Sequence, residues 1–174
     1  MQTVYDNLQG FFAAGGPVLW LIFLVTLIMW TLIVERFWYI YRTHPAHVKQ
    51  TLNVWSQRKE KQSWRAKKIR EALLSQLSLD LNQSLNFIRM LVVICPLLGL
   101  LGTVTGMIHV FDVITVLGTG NPRAMSTGIS LATIPTMAGL VAALSGYYFS
   151  IRLKHKAEIE SQKAADLFTI ATAK

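Results

Sequence analysis

The sequence predicts an all-α membrane protein with three transmembrane helices and further helices extending into the cytoplasm. Three observations carry that expectation. The stretches Pro17–Val34, Met90–Phe111 and Met125–Ile151 contain no Asp, Glu, Lys or Arg. A helix rises about 1.5 Å per residue, so roughly 20 such residues cross the ~30 Å hydrocarbon core of a bilayer. The composition is 52% hydrophobic, and soluble helices of this length would interrupt their wet face with charge every few positions. The third observation is the placement of the basic residues.

Met1–Gly16 carries no Lys or Arg, only Asp6. Eleven basic residues lie between the first and second apolar stretches: Arg36, Arg42, Lys49, Arg58, Lys59, Lys61, Arg65, Lys67, Lys68, Arg70 and Arg89. One, Arg123, lies between the second and third, and five follow: Arg152, Lys154, Lys156, Lys163 and Lys174. Sixteen against one on alternate sides is the positive-inside pattern. It predicts an external N-terminus, a large internal section, a short external hairpin and an internal C-terminus. The net charge of +8 is then explained by orientation and by anionic lipid heads, not by nucleic acid.

Residues 1–16 read as an external amphipathic segment, with Val4, Tyr5, Leu8, Phe11 and Phe12 on one face before the Gly15-Gly16-Pro17 break. With no basic leader and a long apolar run after it, this start does not resemble a cleaved signal peptide. Span one is placed at 17–39, with Trp20 near one end and Trp30, Trp38 and Tyr39 towards the other as interfacial anchors. Glu35 and Arg36 mark its inner boundary, where each can pair with the other or snorkel. Residues 40–86 are expected to form cytoplasmic helices, because apolar residues recur at three- and four-residue spacings and no glycine or proline interrupts Ala46–Leu81. Span two follows at 87–111 with Pro96, an external hairpin at 112–124, span three at 125–151 with Pro135, and a cytoplasmic C-terminal helix at 152–174.

Chemistry is sparse. The single cysteine, Cys95, excludes an internal disulfide, and no metal-ligand cluster, phosphate loop or catalytic-serine motif is present. Neither a cofactor nor an enzymatic activity is expected. Gly99, Gly102 and Gly106 on span two, with Gly128, Ala132, Gly139 and Gly146 on span three, allow close backbone approach. Thr127, Ser130, Thr133 and Thr136 recur every third residue beside Pro135, and Thr103 and Thr105 add hydroxyls on span two. These hydroxyls either bond their own helix carbonyls or line a polar path. No carboxylate stands within the three uncharged stretches, Glu35 lying at the inner boundary of span one; His109 sits at the outer end of span two and Asp112 just beyond it. A titrating group at membrane depth would therefore have to come from another polypeptide.

Pro96-Leu-Leu-Gly-Leu-Leu-Gly-Thr-Val-Thr-Gly-Met107 resembles the second-span signature of the family containing ExbB, TolQ and the flagellar stator protein MotA. Gly128-Ile-Ser-Leu-Ala-Thr-Ile-Pro-Thr-Met-Ala-Gly-Leu-Val-Ala-Ala143 resembles its third-span motif, and Glu35-Arg36 also matches. The resemblance implies an inner-membrane energiser in which a homo-oligomeric ring, a pentamer, surrounds single-span ExbD-like partners. Each partner supplies a membrane aspartate, and ion flow is coupled through a TonB-like protein to uptake across the outer membrane. It assigns Thr103 and Thr136 to the pore lining, with Thr133 a turn away; from the residues themselves, Ser130 is placed with them on the ion path, and Pro96, Pro135 and Gly139 are placed in helix packing. ExbB and TolQ relatives generally place a glutamate where this chain has Leu131, which leaves more of the ion chemistry to the partner. The short chain is more similar to compact ExbB proteins of accessory TonB systems than to TolQ, while the four-span stator fits poorly. A TolQ-type envelope motor, a sodium-driven relative and a non-conducting scaffold are the alternatives. Exchanging Na⁺ for K⁺ at fixed pH separates the second of these, and collapsing the gradient with an ionophore separates the third.

Overall fold

The computed structural model describes residues 2–56, 63–117 and 122–173. Among these residues the secondary structure is helical throughout: α1 (Gln2–Trp38), a π-helical turn (Tyr39–Thr43), α2 (His44–Ser56), α3 (Trp64–Asn82), α4 (Leu85–Leu117) and α5 (Pro122–Ala173). The side chains of Val4, Tyr5 and Leu8, the tip of the expected hairpin, and Arg58, Lys59, Lys61 and Lys174 lie outside the described residues. Three of the helices contain stretches long and apolar enough to cross a membrane. The chain divides into two compact units.

The first unit takes α1 up to Trp30 together with Arg89–Tyr147. Gly16 breaks the helical geometry of α1 at φ 65°, ψ −168°, a conformation open to glycine alone. Pro17 follows, and because it lacks an N–H it suits the first turn of the helix that resumes there. Within this unit α4 and α5 run antiparallel: Gly139 faces Cys95, Pro135 and Thr136 face Gly99, Ala132 faces Gly106, and Gly128 faces Val110. A Cβ on Gly106 would stand 2.5 Å from the Ala132 nitrogen, and one on Gly139 would stand 2.6 Å from the Cys95 carbonyl oxygen. The two backbones thus touch with no side chain between them. α1 closes one side of the seam, where Val18 reaches Gly102 and Met29 reaches Gly146. Cys95, Ala142 and Ala143 are buried there, with Val25 packed against them.

The second unit takes Thr31–Ile88 and Tyr148–Lys174. Its core joins Val48 and Trp55 of α2, Ala66 and Leu77 of α3, and Ala164 and Phe168 of α5. Leu52, Ile69, Leu73 and Leu74 fill in around them. The Trp55 and Phe168 rings sit 6.3 Å apart. The π-helical turn ends two residues before Pro45 of α2, whose missing N–H cannot serve the α-helical ladder; the backbone N–H of His44 reaches back five residues to the Tyr39 carbonyl. Ser63 caps α3 by accepting from the Arg65 N–H at 3.3 Å.

Arg36 is where the expectation for Glu35-Arg36 needs correction. It neither pairs with Glu35 nor snorkels: it is only 5% exposed, whereas Glu35 is exposed. Its guanidinium donates to the Asp80 carbonyl at 3.1 Å and to the Ser84 hydroxyl at 2.9 Å, and it lies 5.2 Å from the Tyr39 ring centre. The Asp80 carbonyl belongs to the last turn of α3, where backbone acceptors have no intrahelical partner and a cation is favoured. Ser84 holds φ 64°, a left-handed conformation unusual for a residue with a side chain, and so turns α3 into α4. Arg36 therefore fastens the α3–α4 reversal to α1.

Two expectations follow for stability in detergent. Gly106→Ala should cost about 1–3 kcal/mol through forced separation of α4 and α5, while Gly10→Ala, with nothing within 4 Å, should cost nothing. Arg36→Met should cost about 2–4 kcal/mol by leaving the Asp80 carbonyl and Ser84 without their charged donor, with Glu35→Gln near neutral. Thermal midpoints of the helical circular dichroism signal check both.

Candidate ion-path site

The hydroxyls singled out by the sequence all lie in the first unit, but the structure separates them. Thr136 is half-buried on the α4–α5 seam. Its Oγ1 is 3.0 Å from the Ala132 carbonyl of its own helix and 3.3 Å from the Gly99 carbonyl of α4. One hydroxyl proton is thus shared between two helices. Thr103 is half-buried and donates to the Leu100 carbonyl at 2.7 Å. Thr105 donates within its helix to Leu101 and Gly102. Thr133 is exposed and donates to the Ile129 carbonyl, while Ser130 is half-buried and Thr127 exposed. Thr103, Thr105 and Thr133 thus bond carbonyls of their own helix, whereas Thr136 also reaches the facing helix.

Helical geometry explains the separation. Three residues turn a helix by 300°, so each successive hydroxyl steps about 60° around α5. By this count Thr133 has moved about 60° off the position of Thr136, away from the contact line through Ala132, Pro135 and Gly139. Pro135 itself is buried against Gly102, where a Cβ would stand 2.5 Å away. Pro135 cannot donate to the carbonyl of Leu131, so the α5 ladder lacks a bond one turn before the shared hydroxyl.

α1 covers only one flank of the seam. Ala138, Val141, Ala142 and Ser145 of α5 line a cavity with Phe12, Ile22 and Thr26 of α1. At 100° per residue, Thr136 lies about 160° around α5 from Ala138, and Thr103 about 100° around α4 from Gly102, which meets Val18 of α1. Thr103 and Thr136 are therefore turned towards the flank that α1 leaves uncovered. That flank also presents Leu100, Met107, Ile129 and Leu140, all large apolar side chains that are strongly exposed. It is an apolar surface with a hydroxyl strip.

The chemistry of the strip follows from who donates to whom. A threonine that gives its single proton to a carbonyl retains lone pairs that can only accept. Thr103 and Thr136 thus offer acceptors to whatever occupies the open flank. Among the described residues no group of three or more His, Cys, Asp or Glu side chains could hold a metal ion. Sequence spacing pointed to the hydroxyl row but carried no sign of Arg36 as a helix clasp, because its partners lie 44 and 48 positions away.

Comparison with known proteins places this seam in context. The MotA/TolQ/ExbB proton channel family matches residues 41–166, a range that includes the whole α4–α5 contact. The biopolymer transport protein exbB1 of Vibrio cholerae is 41% identical over 64 residues, 36% of this chain and 28% of that relative. The aligned part thus spans less than a third of the curated relative's length. No solved structure matches the chain. With most of its length matched by the family, all of α4 and most of α5 included, this chain belongs to the MotA/TolQ/ExbB proton channel family.

Proposed function

We propose that the chain is an ExbB-type subunit of an inner-membrane complex driven by the proton-motive force, powering TonB-dependent uptake across the outer membrane. In this reading a homo-oligomeric ring, a pentamer, places the flank left open by α1 towards a central pore. ExbD-like single-span partners occupy that pore, and a TonB-like protein carries their motion outward. The N-terminus is periplasmic and the C-terminus cytoplasmic, in keeping with sixteen basic residues on one side and one on the other. Residues 17–39, 87–111 and 125–151 are the spans, and residues 40–86 and 152–174 are the cytoplasmic extension.

The observation that carries the reading is the Thr136 hydroxyl, shared between Ala132 and Gly99 on the uncovered side of a backbone-to-backbone seam. Thr103, Thr133 and Ser130 extend the polar strip on either side of it. The acceptor lone pairs of Thr103, Thr133 and Thr136, whose protons are given to helix carbonyls, can receive a hydrogen bond from a protonated carboxyl but have no proton to give an ionised one. A partner aspartate facing the strip is then favoured in its neutral form and disfavoured in its charged form, which raises its affinity for a proton. The apolar residues around the strip add desolvation in the same sense. Proton release requires the aspartate to leave the strip, so carrying a proton and moving the partner become one event. Gly99, Gly102, Gly106 and Gly139, with Pro96 and Pro135, hold the two helices in the register that this requires.

Thr136→Val keeps the volume and removes the hydroxyl. The expected outcome is a complex of unchanged mass, its melting temperature lowered only slightly by the loss of one interhelical hydrogen bond, whose gradient-driven uptake falls at least about tenfold, the scale of one lost hydrogen bond to a reacting group. Unchanged uptake in an intact Thr136→Val complex would remove the hydroxyl from the ion path.

A further inference from the structure

The second unit holds a cleft that the ion path does not use. It measures about 320 Å³ and is lined by Phe37 and Tyr41 on one side and by Tyr148, Arg152, His155 and Lys156 of α5 on the other. The Phe37 and Tyr41 rings pack 4.5 Å apart and form an apolar wall. Opposite them, the Arg152 guanidinium donates to the Tyr148 hydroxyl at 3.0 Å. Lys156 lies 5.4 Å from the centre of the Tyr41 ring. The cleft is therefore aromatic at its walls and cationic at its edge.

Its charge is not internally balanced. Lys156 is 3.4 Å from Glu160, but Glu160 also takes Lys163 at 3.0 Å and so is divided between two cations. Arg152 has no carboxylate within ion-pair distance among the described residues, and its exposed guanidinium keeps N–H donors to spare. Arg152 is also the first charged residue after the uncharged run Met125–Ile151, the position at which a spanning helix meets lipid headgroups. A guanidinium fork suits a phosphodiester, and tyrosine and phenylalanine walls suit the glycerol and upper acyl region beside it. Free phosphate would gain nothing from the walls, and a zwitterionic headgroup would bring its own cation against Arg152 and Lys156.

We propose that this cleft binds the headgroup of an anionic phospholipid, its phosphodiester on Arg152 and Lys156 and its acyl chains along Phe37 and Tyr148. The inference needs the helices to span a bilayer and is independent of any ion path. It is tested on the full chain in neutral detergent by native mass spectrometry, after addition of dioleoylphosphatidylglycerol, dioleoylphosphatidylcholine or inorganic phosphate. Phosphatidylglycerol should be retained at least about fivefold more than phosphatidylcholine, with no retained phosphate. Arg152→Gln should reduce that retention about fivefold. Lys154→Gln, which removes an equal charge from a side chain paired with Glu158 and outside the cleft, should leave it unchanged. Equal retention of the two lipids, retained phosphate, or equal losses from both substitutions would overturn the proposal.

Discussion

The structure of the first unit depends on how closely two backbones approach. Lipid tails are as apolar as leucine, so no hydrophobic drive holds helices together inside a bilayer; close packing and interhelical hydrogen bonds must do so. α4 and α5 meet that demand by removing side chains from their contact line: Gly106 lies against Ala132, Gly139 against the Cys95 carbonyl, and Gly99 against Thr136. Only at such separation can the Thr136 hydroxyl touch a carbonyl of each helix. The polar strip is a by-product of the packing, and a seam widened by even one methyl group would lose it.

Much of this is legible in the residues. Small side chains at three- and four-residue spacings mark the faces where helices can approach, because that spacing returns to one side of a helix. Uncharged runs mark the three stretches able to span, because charge at membrane depth is costly. What is not legible depends on distant partners or on conformations the residue type does not announce. Arg36 looks like a boundary residue until Asp80 and Ser84 are brought to it by the α3–α4 reversal. That reversal turns on Ser84 in a left-handed conformation, where a sequence reader looks for glycine. The hydroxyl row at every third residue reads as one stripe, yet its 60° drift leaves Thr136 on the seam and Thr133 exposed.

The second unit also holds buried polar atoms without hydrogen-bond partners among the described residues, Arg36 Nε and Trp55 Nε1 among them. His44 is 2% exposed, and neither ring nitrogen has a hydrogen-bond partner among the described residues. Buried polar atoms of this kind are exceptions that weaken a core. The second unit offsets them with the apolar cluster around Trp55 and Phe168, while its exposed ion pairs, such as Lys68–Glu71, contribute little.

The division of labour proposed for the ion path follows from what the spans contain. Their uncharged stretches supply hydroxyl acceptors and apolar walls, and no acid. Threonine hydroxyls and apolar side chains can favour a neutral acid over a charged one, but they cannot themselves take up and release a proton at physiological pH. The most direct measurement is proton flux into liposomes under an imposed gradient, with the purified chain alone and then with a co-purified single-span partner. The account predicts negligible flux from the chain alone and flux that appears with a partner bearing a membrane aspartate. Selective, full-rate proton passage through the chain by itself would contradict it.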